Sequence, residues 1–216
     1  MRQREEIIAR EELLKNIRQA MIVAKDNPFE GEDLNVNPFK NNEDIPELIF
    51  AQELMAAGGK FVFCENTNDL HTQFHALASQ KNWNRFRSGC DHVKEFLALD
   101  NDLIVDSEQS TGEEICITRC EYLAARTGSV VMSTSICNDP HLWSFCSVHV
   151  VIASTDQVVD GLSSAYKKLK ERYTENYPSV VSVITGPSRT TDIENQLAIG
   201  AHGPVELYVF LIDVES

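Results

Sequence analysis

The sequence predicts a three-layer α/β fold: a mostly parallel sheet with helices on both faces, preceded by a helical arm. Three observations carry this. Helix-like and strand-like segments alternate at short spacing through residues 45–216, the pattern of strands joined by helical crossovers. The 216 residues suffice for one substantial core with an appendage and are few for two. Hydrophobic residues at 43% and charged residues at 24% are the ordinary proportions of a globular domain. The expected organisation is a helical arm and linker over 1–44 and one α/β domain over 45–216.

The arm is predicted as a helix over 4–25. Ile7, Ile8, Leu13, Leu14, Ile17, Met21 and Ile22 form one apolar stripe, and Asp26, Asn27 and Pro28 end it. A lone helix of this length is marginal in water, so the stripe is expected to pack on the domain or on a second copy in a homodimer. The acidic, turn-rich stretch 27–44 reads as linker. Next comes a helix over 45–57, with Pro46 in its first turn and Gly58-Gly59 as the stop. "KFVFCEN" (60–66) is a strand, and "TNDLHTQFHALASQ" (67–80) a helix capped by Thr67 or Asn68. "NRFRSG" (84–89) and "DLIVDS" (102–107) read as strands around a helix at "DHVKEFLA" (91–98).

The second half continues the pattern. "ITRCEYLAARTG" (117–128) is expected to be a helix ended by Gly128, and "SVVMSTS" (129–135) a strand. "STSICNDPHLW" (133–143) is a turn-rich loop, and "LWSFCSVHVVIAS" (142–154) a long apolar strand. "TDQVVDGLSSAYKKLKERYTENY" (155–177) is predicted as one long helix opened by Thr155 or Asp156. "SVVSVIT" (179–185) reads as a buried-type strand, and "ELYVFLIDV" (206–214) as the last. There is no internal repeat and no low-complexity tract.

Charge and cysteines narrow the function classes. Nineteen Lys and Arg against 33 Asp and Glu give a net charge of −14, which disfavours a broad nucleic-acid surface or an anionic membrane as partner. A local basic pocket for an anion remains compatible with it. No run of residues is long and apolar enough to insert in a membrane, and the charged start, "MRQREEIIAREELLKNIRQA", lacks the apolar core of a secretory signal. The cytoplasm is the expected location. Cys64, Cys90, Cys116, Cys120, Cys137 and Cys146 contain no CxxC pair; only Cys116 and Cys120 approach ligand spacing. Buried free thiols are expected, with no metal and no cofactor of the chain's own.

The unusual stretch is "ITGPSRTTDIENQLAIGAHGPVELYVFLID" (184–213). The strand 179–185 runs into Gly186-Pro187-Ser188-Arg189-Thr190, and a short helix is predicted to begin at Thr190–Asp192. A strand feeding a helix start offers unpaired backbone N–H groups, and an arginine fork suits a carboxylate or phosphate. Ser188, Arg189 and Thr190 with Gly186 are therefore candidates for an anion site. A plain helix start explains the same residues: Ser188 or Thr190 as cap, Asp192 and Glu194 against the dipole, Arg189 paired with either acid. His202, between Gly200 and Gly203, suits a proton-holding contact or a loop position equally. Thr127-Gly128-Ser129 brings two hydroxyls to a helix-end turn. His149 lies among apolar neighbours, where a hydrogen-bonded core histidine is expected. His71, His75 and His92 read as surface or interface residues.

Two motifs in order carry a family resemblance: Gly186-Pro187-Ser188-x-Thr190-x-Asp192-Ile193-Glu194, then Gly200-x-His202-Gly203-Pro204 and a final strand. They resemble the C-terminal signature of the lactate-utilization protein C (LutC) family, also called the LUD domain. "CEYLAARTGSVVM", "SVHVVIASTDQVV" and "REELLKNIRQAM" are similar to further family segments; residues 26–44 and about 80–110 match least. The resemblance implies a fold like that of the NagB/RpiA/CoA-transferase superfamily. It implies a part in oxidising L-lactate to pyruvate beside two iron–sulfur oxidoreductase-like partner subunits. It also gathers Gly186, Ser188, Arg189, Thr190, Asp192, Glu194, His202, Gly203, Thr127, Gly128 and Ser129 into one expected ligand cleft. One departure stands out: Arg126 precedes Thr127-Gly128, where the family often carries an acid.

Three functions fit these observations. The chain is a non-redox component of a lactate-oxidising complex that binds a small anion or its iron–sulfur partners. Alternatively it is a stand-alone enzyme of the CoA-transferase or ligase type, although no motif marks a glutamate nucleophile. The third reading is a sensor that binds an anionic metabolite without turnover. No residue is identified as catalytic.

Overall fold

The computed structural model describes residues 10–16, 18–19, 45–90, 93, 104–106, 114–193, 196–200 and 203–214. The chain divides into two units, Met1–Glu43 and Asp44–Ser216. In the first, residues 10–16 and 18–19 are helical and exposed, Leu13 and Leu14 included. The rest of the expected arm and linker, and the helix expected at 91–98 apart from Val93, lie outside the described residues.

The second unit is built on a six-stranded sheet in which every neighbouring pair is parallel. Its strands are β1 (Lys60–Cys64), β2 (Arg85–Arg87), β3 (Ile104–Asp106), β4 (Ile115–Arg119), β7 (Val148–Ser154) and β12 (Glu206–Ile212). They lie in the order β1-β12-β7-β4-β2-β3. Three adjacent inner strands, β12, β7 and β4, are almost continuously buried: residues 115–118, 148–153 and 207–211 have no exposed side chain. Such a strand needs cover on two faces, and the register shows both covers. Phe210 and Phe86 meet Phe74 of α2 (Thr67–Lys81), at ring separations of 6.0 and 5.4 Å. On the opposite face Phe61 pairs in register with Val209 and meets Phe50 of α1 (Pro46–Ala56) at 6.2 Å. Burying each such ring stabilises the fold by roughly 1.5–3 kcal/mol. The predicted α/β class with helices on both faces is therefore what is found.

A second sheet, ordered β8-β5-β6-β9, consists of β5 (Tyr122–Ala124), β6 (Ser129–Ser133), β8 (Val158–Val159) and β9 (Val181–Ile184). The pairs β5–β6 and β6–β9 are antiparallel. The hairpin β10 (Arg189–Ile193) and β11 (Gln196–Ile199) stands apart from both sheets. Two further helices lie among the described residues, α3 (His141–Phe145) and α4 (Leu162–Arg172). No helix among the described residues is long and apolar enough to cross a membrane.

Several local expectations are corrected. The helix expected over 117–127 is β4, β5 and a short 3-10 turn at Ala125–Thr127. Ile115, Ile117 and Thr118 are β-branched, and the slot beside β7 rewards them as a strand. The long strand expected from Leu142 begins only at Val148, after α3. The long helix expected from Thr155 begins only at Leu162. Val158 and Val159 pair with Leu123 and Ala124 first, and extended Gly161 then serves as the N-cap. Strand β9 is an edge of the second sheet and half-exposed, not buried. Asn66, not Thr67 or Asn68, caps α2 by accepting from the Asp69 N–H at 3.0 Å. All six cysteines are free and buried, as expected.

One buried charge ties the second sheet to α4. Glu121 has no exposed surface; it accepts from the Ser133 hydroxyl, from Tyr173 at 2.8 Å and from Arg172 Nη1 at 2.9 Å. Removing the cation leaves a buried carboxylate served by two hydroxyls alone. Arg172→Leu is expected to lower unfolding free energy by roughly 1–3 kcal/mol in urea titration. Adding Glu121→Gln to that variant should recover part of the loss, and failure to recover would place the effect outside the ion pair.

Candidate functional site

The signature runs as a strand up to Ile184, as expected, and departs from expectation beyond it. The short helix predicted at Thr190–Asp192 is strand β10, with Arg189 in register with Ile199 and Thr190 with Ala198. The residues from Arg189 find antiparallel partners in "QLAI", so no helix N-terminus lies there to offer its dipole. The turn is held by backbone bonds instead: Ser188 N–H donates to Pro204 at 2.8 Å, and Gly200 N–H to Ser188 at 2.9 Å. These bonds bring the two Gly-Pro loops together.

The turn docks on the C-terminal end of α1. Arg189 Nη2 donates to the Ala57 carbonyl at 2.7 Å, satisfying an acceptor that the end of a helix leaves free. Gly186 has φ +69°, and a Cβ there would lie 2.3 Å from the same Ala57 oxygen. Gly128, at φ +58°, has the backbone of Leu54 against it, where a Cβ would sit 2.2 Å from the nitrogen. The glycines of both motifs thus permit close approach to one helix terminus. Gly128 also ends its 3-10 turn in the left-handed conformation, the role expected of it at a helix end.

Around this contact lies a cleft of about 400 Å³ at the amino ends of β7 and β12. Gly186, Ser188, Arg189, Gly203, Thr185 and Trp143 are among its walls. Thr185 is joined to the second motif by hydroxyls: Ser129 Oγ lies 2.7 Å from Thr185 Oγ1 and donates to Thr127 Oγ1 at 2.7 Å. Trp143 is buried, and its indole N–H has no acceptor among the described residues. Of the predicted site residues, Gly186, Ser188, Arg189 and Gly203 line this cleft directly. Thr127 and Ser129 reach it through Thr185, and Gly128 packs behind. Thr190 and Asp192 both lie on β10, Thr190 in register with Ala198 and Asp192 within a register shift of the hairpin. Glu194 and His202 lie outside the described residues.

Arg126 forms a fork on Asp160, with Nη2 3.1 Å from each carboxylate oxygen, while its N–H donates to the Asp160 carbonyl at 3.0 Å. It therefore anchors the 3-10 turn to the start of α4. His149 is the core histidine expected. It shares the α1 face of the sheet with Cys116 and Leu207, and its Nε2 lies 2.8 Å from Thr118 Oγ1. Its Nδ1 has no partner among the described residues, and burial holds its pKa down at about 3.

Sequence reasoning missed three contributors. Thr185 was legible only as the last residue of a strand, Trp143 only as the end of a turn-rich loop fit to cover a cleft, and Glu121 only as one charge in a supposed helix. A hydroxyl directly before Gly186-Pro187 was the available signal for Thr185. Nothing local marks Glu121, whose partners stand 12, 51 and 52 residues away.

Residues 105–212, half of the chain, match the LUD domain family. A relative named lactate utilization protein C 1, from Bacillus mycoides strain KBAB4, is 26% identical over 110 residues, covering 50% of this chain and 47% of that protein. Lactate utilization protein C of Bacillus subtilis strain 168 is 29% identical over 98 residues, covering 44% and 41%. The match thus spans about half the length of these curated relatives. The crystal structure of a DUF162 family protein from Deinococcus radiodurans superposes with a TM-score of 0.59 at 14% identity, over 77% of this chain and 96% of that one. At that identity the likeness shows the fold.

Two measurements test this geometry. Gly128→Ala should destabilise by at least about 1–2 kcal/mol for its left-handed backbone, and by more for the overlap with α1. A melt unchanged by this substitution would mean that the close approach is relaxed in solution. His149 stays neutral in the folded state down to about pH 3, whereas the unfolded chain takes up the proton near its ordinary 6.5. Its contribution to stability is complete above that value and is lost as pH falls from about 6.5 toward 3. His149→Gln should flatten this limb of a plot of melting temperature against pH.

Proposed function

Because the chain belongs to the LUD domain family, we propose that it serves lactate utilization by binding a small anion, a carboxylate or a phosphate, in the amino-edge cleft. One observation carries the reading: both halves of the Gly-Pro signature line a single cavity, with Arg189 in its wall. Arg189 has five N–H donors, of which the Ala57 carbonyl takes one. The remaining fork suits a carboxylate held by two bonds, with the Ser188 and Thr185 hydroxyls and the Trp143 N–H as further donors. Thr190, Asp192, Glu194 and His202 belong to the same proposed ligand set through the motif.

The relatives' names support lactate as the metabolic context. In that context the chain is a non-redox component in the oxidation of L-lactate to pyruvate. Iron–sulfur oxidoreductase subunits carry the electrons, and this chain holds the anion. The net charge of −14 makes the Arg189 cleft a local exception on an acidic protein, so recognition rests on short-range geometry rather than long-range attraction.

Arg189→Lys separates binding from architecture. Lysine keeps the charge and one donor for the Ala57 carbonyl, but loses the fork. L-Lactate affinity measured by calorimetry should fall by roughly 1–3 kcal/mol, with lactate-dependent growth impaired and the melting temperature little changed. A lowered melting temperature with affinity and growth intact would make Arg189 a helix clamp and nothing more.

A further inference from the structure

We infer that the opposite, carboxyl edge of the parallel sheet holds a second ligand site, built for an amphipathic monocarboxylate and anchored by Arg119. Open parallel sheets bind ligands outside the carboxyl ends of their strands, where crossovers diverge and leave a crevice. The Gly-Pro cleft does not occupy that position; it lies at the amino ends of β7 and β12. At the carboxyl ends lies a separate cavity of about 360 Å³. The last residues of three adjacent strands line it: Arg119 of β4, Ser154 of β7 and Ile212 of β12. Thr67, the first residue of α2, closes another side, and Leu70 and Ile152 contribute apolar wall.

The chemistry of the ligand is set by this lining. Arg119 is partly buried, and among the described residues no carboxylate pairs with its guanidinium. Thr67 adds a hydroxyl at the start of a 15-residue helix, whose N-terminal N–H groups favour an anion. The remaining wall is mostly hydrocarbon, and it has room for far more than a methyl group. A carboxylate head on Arg119 and Thr67, with an alkyl tail over Leu70, Ile152 and Ile212, satisfies both the charge and the apolar surface. Ser154 is unsuited to the head, because its hydroxyl is already bound to Asp156 and Gln157.

Hexanoate is the probe, titrated by calorimetry into the full chain beside butyrate and the neutral hexanamide. Saturable hexanoate binding is expected, about fourfold tighter for each methylene added beyond butyrate. Hexanamide should bind at least tenfold more weakly, a comparison that needs no variant to fold. Arg119→Gln should cost hexanoate at least tenfold, and Arg119→Lys should restore part of it. Absent binding, equal binding of acid and amide, or binding indifferent to Arg119→Gln would overturn the proposal. Loss of hexanoate at Arg189→Lys rather than at Arg119→Gln would overturn it too, by placing the tail in the amino-edge cleft. A failure of L-lactate to bind there leaves these outcomes unaffected, so the two sites stand or fall separately.

Discussion

Everything in the second unit answers to one requirement: β4, β7 and β12 have no face turned toward water. Their backbone groups are paired within the sheet, and their side chains need apolar cover on both sides. That brings α2 to one face and α1 to the other. It also excludes charge from the middle of the sheet, where His149 is neutral and shares its one hydrogen bond with Thr118. Polar chemistry is thereby displaced to the strand ends. The amino edge collects the Gly-Pro loops and the carboxyl edge collects Arg119.

The end of α1 is where the two motifs meet. Gly128 approaches it at Leu54, Gly186 and Arg189 at Ala57, and a Cβ at either glycine would collide with the helix backbone. A motif that looks like a ligand loop is therefore in part a joint between a helix and the second sheet. The two roles share residues without competing, since close packing of α1 sets where Ser188, Arg189 and Thr185 stand around the cleft.

The large pattern was legible because periodicity and apolar runs report burial directly. The strands at 60–64, 85–87, 104–106, 129–133 and 206–212, and the helices α1 and α2, lie where composition puts them. Errors fall where tertiary pairing overrides local preference. Residues 117–124 carry Glu, Leu and Ala that suit a helix, yet β7 pairs with 117–119 and β6 with 122–124 as strands. Residues 189–193 carry an acidic, cap-like pattern, yet the hairpin partner at 196–199 decides their state. The clustering of Thr127, Ser129 and Thr185 was only half legible: the family motif grouped the first two with the Gly-Pro loop, but no local spacing reveals a hydroxyl contact spanning 56 residues.

The strand order also carries a consequence for how the molecule comes into being. Strand β12, last in sequence, lies between β1 and β7, so β1 has no sheet partner until β12 arrives. Lys60 and Tyr208, neighbours across that pair, are separated by 148 positions. At ribosomal speeds β1 and α2 wait on the order of ten seconds for that partner, with the ring of Phe74 still lacking its contact with Phe210. Such long-range closure makes folding slow relative to a helical protein of equal size, and it makes completion of the sheet a single late event.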